Sequence, residues 1–214
     1  MYLILGYIYR IVLCTAAILA ISRYRRMDKA SRMIGLLMCI DVLAEFAGDY
    51  FIWKYKTNYP VYNVHFFFEY GLICLYFHYA IGYIHQRKIA VRLALAGLVF
   101  GLVGSSSISY KFTLNSNFLY LQNIVIVGLS LFSIYRFILI ENYNMRLYRK
   151  VHFWLPCIFI FYETAPLFAW GVLSRSVQYL PLCRDVLLMI NITIYLAYST
   201  VWILYARLKH IYVG

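Results

Sequence analysis

Three carboxylates, Asp41, Glu45 and Asp49, recur at four-residue spacing in the stretch DVLAEFAGDYF. On an α-helix such residues share one face, drifting about 40° per step and reaching over about 12 Å of length. His65 and Glu69 repeat the spacing in the next segment, which sets an imidazole and a carboxyl one turn apart. Glu163, followed closely by Pro166, stands in a later apolar segment. Arg10, the adjacent Arg184 and Asp185, Asn191, Gln122 and Asn123 supply further polar groups. Groups of these types can bind a polar or cationic solute, pass a proton, or act as an acid and base pair. A metal site from His65, Glu69 and Asp49 or Glu45 is chemically allowed. Zinc sites, however, draw on two or more well-spaced His or Cys ligands, and His65 is the one such residue at this depth. Neither a metal nor another cofactor is expected.

The surroundings of these groups set their cost. The chain has 214 residues, 64% hydrophobic and only 13% charged, with a mean hydropathy of +0.72. Soluble domains are about 45–50% apolar and about 25% charged. The composition predicts a membrane-embedded bundle with no separate soluble domain. No cleavable leader is expected, because the first apolar run starts at Tyr2 without a basic stretch before it. Cys14, Cys39, Cys74 and Cys157 fall in apolar segments and Cys183 near a segment end. Without a CxxC or Cys/His cluster they indicate neither a disulfide framework nor a zinc ribbon.

A membrane-crossing helix needs about 20 mostly apolar residues. Seven such runs lie at roughly 2–22, 33–53, 61–84, 89–109, 117–140, 151–174 and 181–206. The connections are short and polar, so neighbours must run antiparallel. The first loop carries Arg23, Arg25, Arg26, Lys29 and Arg32. The third has Arg87, Lys88 and nearby Arg92, the fifth Arg146, Arg149 and Lys150, and the tail Arg207 and Lys209. The even loops hold Lys54, Lys56, Lys111 and Arg175. Lysine and arginine accumulate on the cytoplasmic side. The net charge of +12 therefore reads as topology rather than nucleic-acid binding. The expected fold is all-α, a multi-pass bundle of seven transmembrane helices in a plasma (inner) membrane, with the N-terminus outside and the C-terminus cytoplasmic. Tyrosines and tryptophans, among them Trp53, Tyr59 and Tyr62 at the outer edge, read as interfacial belts.

This frame assigns depths. Glu45 and Glu163 fall near the middle. Asp49, His65, Glu69, Arg10, Arg184, Asp185 and Gln122 fall toward the outer side, with Asn191 deeper. The acids of the second span must face protein, since a central charge facing lipid costs at least about 2.5–3.5 kcal/mol. An outward-opening polar pocket is the simplest arrangement, with Glu45, Asp49, His65, Glu69, Glu163, Arg10, Arg184, Asp185 and Asn191 as its ligand-binding residues. Asp41 is expected as a structural partner on the inward side. Pro166 is expected to free a carbonyl of the sixth span beside the pocket. The plainer alternative makes Arg10 or Arg184 a structural counter-charge for Glu45 or Asp49. His78, His85 and His152 read as interfacial or packing residues. Spans two and six share a Glu-x-Ala, Gly or Pro, Phe-x-Trp pattern around Glu45 and Glu163. It suggests parallel triplets, spans one to three and five to seven, joined by span four, an arrangement known in transporters. No GxSxG, Walker A or Rossmann glycine pattern is present.

The runs YRRMDKASRMIGLLMCIDVLAE and YPVYNVHFFFEYGLICLYF resemble the first half of an uncharacterised group of small seven-span proteins from Bacteroidota. Members carry a Glu late in span two and an IYTLIEF-like run opening span three, and Glu45 and Glu69 sit at the matching positions. VHFWLPCIFIFYETAPLF is similar to their sixth span, although Glu163 is not part of that pattern. The resemblance implies a membrane input module that partners a sensor histidine kinase. Three functions follow as expectations. The first is a ligand-sensing subunit for a small polar or cationic ligand, signalling through a cytoplasmic partner. The second is a small-solute facilitator or proton-coupled transporter. The third is an intramembrane lipid enzyme using Glu69 and His65.

Overall fold

The computed structural model describes residues 2–106, 114–140, 151–173 and 180–209, with the side chains at 2–3, 105–106, 140, 166–173, 180–184 and 206–209 outside that description. The loops at 107–113, 141–150 and 174–179 and the tail from 210 also lie outside it, together with the Lys and Arg residues expected there. The described residues are helical apart from short turns, and no strand occurs among them. The helices are α1 (Tyr2–Arg23), α2 (Lys29–Tyr55), α3 (Tyr59–Ala80), α4 (Gly82–Arg87), α5 (Ile89–Ser106), α6 (Ser116–Ile140), α7 (Val151–Leu173) and α8 (Leu180–Lys209).

Local chemistry explains the boundaries. Asp28 caps α2: its backbone is extended and its Oδ1 accepts the Ser31 N–H at 2.8 Å. Lys56 ends the helix in the left-handed conformation, at φ 59°. The next helix opens with Pro60 in its first turn, where a missing N–H costs nothing. One apolar run was expected to continue to residue 84. The chain instead turns extended at Ile81, and α4 restarts it as a short separate helix.

Three helices, Ile4–Arg26, Ser116–Leu139 and Asp185–Tyr205, are long and apolar enough to cross a membrane. Ile89–Gly104 and Val151–Ala165 are shorter apolar stretches. The central acids of α2 and the Asn63, His65 and Glu69 set of α3 interrupt apolar composition there. The faces of α2 are sharply divided all the same. Asp41 is 4% exposed, whereas Leu43, Phe46 and Trp53 are 67%, 58% and 73% exposed. Apolar side chains turned outward over a buried carboxylate suit a lipid surrounding.

The chain divides into two compact units, residues 24–126 and residues 1–23 with 127–214. In the first, α3 packs on α2 and on α5. In the second, α8 packs on α1 and on α7. Tyr195, Tyr198, Trp202 and Tyr205 form a buried stripe along α8, with the Tyr9 ring 5.9 Å from Tyr195 and Phe159 6.4 Å from Tyr198. The sequence triplets are therefore not packing units, since α1 groups with α7 and α8 rather than with α2 and α3. Pro166 contributes no N–H to its helix, yet α7 runs through it to Leu173. Its side-chain surroundings lie outside the described residues.

Close approach of α5 to α3 depends on glycine. A Cβ on Gly97 would overlap the Tyr70 ring, and one on Gly101 would lie 2.7 Å from both Phe67 and Phe118. Tyr70 uses that space to donate its hydroxyl to the Leu93 carbonyl at 2.7 Å. Phe67 and Phe118 stack at 4.6 Å beside Gly101. Asn115 ties the ends together. Its Oδ1 accepts the Phe118 N–H at 3.2 Å, its Nδ2 donates to the Gly101 carbonyl at 3.3 Å, and its backbone N–H donates to Asn63 Oδ1 at 2.9 Å. Asn115→Ala removes the first two bonds. A loss of about 1–2 kcal/mol is expected, the upper range for a helix cap, read as a lower unfolding midpoint in detergent.

Candidate functional site

The site lies within the unit of residues 24–126, and the antiparallel pairing of α2 with α3 builds it. His65 Nε2 bonds Asp41 Oδ1 at 2.8 Å. The Tyr62 hydroxyl donates to Glu45 Oε1 at 3.0 Å. A four-residue step along α2 is thus answered by a three-residue step the other way along α3, the register of two helices in close contact. The first half of α6 adds a third wall: Gln122 Nε2 donates to Glu69 Oε2 at 2.8 Å. Asp41, His65, Glu69 and Gln122 are all buried. Glu45 and Asp49 are half-buried on the same face of α2.

The electrostatics centre on His65. Besides Asp41, Glu69 and Glu45 lie close enough to act on its imidazole. With Asp41 as carboxylate, an acceptor only, the 2.8 Å contact requires the proton on Nε2. The opposite nitrogen, Nδ1, is buried and has no hydrogen-bond partner among the described residues. The same holds for Gln122 Oε1. Each such group costs about 1–3 kcal/mol when left unmade. Among the described residues no set of three or more His, Cys, Asp or Glu side chains is placed to hold a metal ion.

Several sequence expectations are altered. Asp41, expected as a structural partner on the inward side, bonds His65. Tyr62 was expected in an interfacial belt, yet its hydroxyl serves Glu45, because its position on α3 faces α2. Gln122 had the right depth but no assigned role. An amide in an apolar segment was its only sequence signal. Asn63 and Asn115 carried still less, since asparagines near helix ends are common caps and turns. The structure brings together Asp41, Glu45, His65 and Glu69, with Asp49 one turn beyond Glu45 on α2. Arg10 on α1, Glu163 on α7, and Arg184, Asp185 and Asn191 on α8 belong to the other unit. Glu163 is buried there, and Arg10, Asp185 and Asn191 are half-buried. The side chain of Arg184 lies outside the described residues.

Fold and site together define a class: among the described residues, an all-helical protein with apolar helices of membrane-crossing length and, joining α2, α3 and the first half of α6, a buried acid, imidazole and amide network. Comparison with protein-family models, with curated proteins and with solved structures gave no match to this chain.

Proposed function

We propose that this chain is a seven-span protein of the plasma (inner) membrane, N-terminus outside, that binds a small polar or cationic solute between α2, α3 and α6. In this reading it reports the bound state to a cytoplasmic partner. The observation that carries it is the pair of unmet buried atoms, His65 Nδ1 and Gln122 Oε1, beside Glu69. A network present only for packing gains nothing from leaving them unmet, whereas a bound solute would complete both. The exposed basic residues at one end of the unit, Arg25, Arg26, Arg87 and Lys88, offer a surface for an acidic partner or anionic lipid. The resemblance to small seven-span partners of sensor histidine kinases supports signalling over transport.

Two measurements test the reading. Reporter fusions in each loop should place the first and third loops inside. Purified protein should be stabilised by a solute from a panel of polar, zwitterionic and cationic small molecules. Glu69→Gln should abolish that stabilisation, and proteoliposomes should show no flux of the same solute. Flux that Glu69→Gln or Glu45→Gln stops would make the protein a transporter instead. Turnover of a lipid, lost in His65→Ala, would make it an enzyme.

A further inference from the structure

We infer that the α2–α3–α6 site takes a small primary ammonium ion, and that it does so in exchange for a proton held on His65. This rests on the reading of that site as a solute site.

The hydrogen-bond inventory specifies the ligand. Three donor groups are bonded at the site: the Tyr62 hydroxyl, His65 Nε2 and Gln122 Nε2. Each is directed to a carboxylate, on Glu45, Asp41 and Glu69 respectively. Of the ten buried side-chain atoms without a hydrogen bond among the described residues, Gln122 Oε1 and His65 Nδ1 are the two on the residues of this site. The first is an acceptor. The second is also an acceptor whenever the imidazole is neutral, because Nε2 carries the proton. The unmet groups are therefore both acceptors, and the neighbouring carboxylates favour positive charge. A primary ammonium supplies three N–H donors and one positive charge in a small volume. A hydroxylic solute supplies fewer donors and no charge. A quaternary ammonium supplies the charge and no N–H.

The same inventory links binding to a proton. Without ligand, a proton on Nδ1 turns the imidazole into a cation among Asp41, Glu45 and Glu69. An entering ammonium needs Nδ1 as an acceptor, and it repels an imidazolium at contact distance. The site holds one of the two cations at a time. When R–NH3+ enters, the N–H bond at Nδ1 breaks and the proton leaves to solvent. The charge inside stays constant and no other bond changes.

Titratable and charged groups reach this level from the neighbouring elements. From α2 the facing groups are Asp41, Glu45 and Asp49. The first half of α6 has only the neutral Gln122 and Asn123. Helix α5 meets this part of α3 through Gly97 and Gly101 and carries one charged residue, Arg92, beyond Tyr70. His85 and Arg87 of α4 follow the far end of α3.

The test is calorimetric titration of the full purified chain with methylammonium, in buffers of different ionisation enthalpy and across neutral pH. One proton should be released per methylammonium bound. Affinity should rise toward alkaline pH by up to about tenfold per unit, the slope for one displaced proton. Tetramethylammonium should not compete. His65→Gln should bind methylammonium more weakly with no pH slope and no proton release, and the wild-type proton count stands by itself should that variant fail to fold. Binding without proton release, or equal competition by tetramethylammonium, overturns the inference. Stabilisation by a neutral or zwitterionic solute with none by methylammonium overturns it too, while leaving the site a solute site. Binding of nothing in the panel overturns both.

Discussion

Asp41→Leu should lower the stability of this protein by about 3–5 kcal/mol, the range for stripping one partner from a buried charged pair. The substitution leaves His65 Nε2 buried with nothing to accept its proton, and Leu cannot replace the 2.8 Å bond. His65→Phe should cost a similar amount for the reverse reason, since the Asp41 carboxylate, 4% exposed, would lose its imidazole. The double variant Asp41→Leu with His65→Phe should be far better than the sum of the two losses. Both unmet groups are then gone, and an apolar pair of similar volume replaces a buried polar one, which is often nearly neutral. Denaturant or SDS unfolding of the four proteins closes the cycle. Additive losses would mean that the two side chains do not act on each other, and that α2 and α3 do not pair in this register. A stable double variant that no longer binds solute would separate the scaffold from the site.

Gly97→Ala should destabilise the chain by about 1–3 kcal/mol, the usual cost of overpacking. The added Cβ falls on the Tyr70 ring. That ring is buried and held by its hydroxyl bond to the Leu93 carbonyl, so it cannot swing aside without losing the bond. Gly71→Ala is the control, because a Cβ there meets nothing within 4 Å. Alanine is the better helix former by about 0.5–1 kcal/mol, so this variant should match or exceed the parent. Opposite signs at two helical glycines of one unit would show that close approach of α5, not helix propensity, decides Gly97. Because α3 carries His65 and Glu69, Gly97→Ala should also weaken the solute binding proposed for this site.

How far the site could be read in advance depended on the kind of signal. Glu45, Glu69 and His65 stood out because ionisable residues are rare in apolar segments, and their four-residue spacings already put them on shared faces. Tyr62 did not stand out. A tyrosine near a segment end reads as an anchor, and only its partner shows otherwise. Arg10 and Arg184 looked equally suited to answer Glu45 or Asp49. Depth along the membrane normal is a single coordinate, and it does not say which helices are neighbours.

The sequence by itself determined the helical class and the positions of the long helices. Those follow from local composition, from caps such as Asp28 and from Pro60, all within a few residues of the feature they control. It also determined that in a membrane the acids of α2 would have to face protein, because the cost of facing lipid is set by the residue type. The tertiary structure decided the rest. It ended α3 at Ile81, set α1 beside α8, and joined Asp41 to His65 and Gln122 to Glu69. These outcomes depend on which helix faces meet and in what register. The contacts that settle this, Gly97 against Tyr70 and Asn115 against Asn63 in one unit and Tyr9 against Tyr195 in the other, link residues far apart in the chain. No window of sequence contains both halves of such a contact.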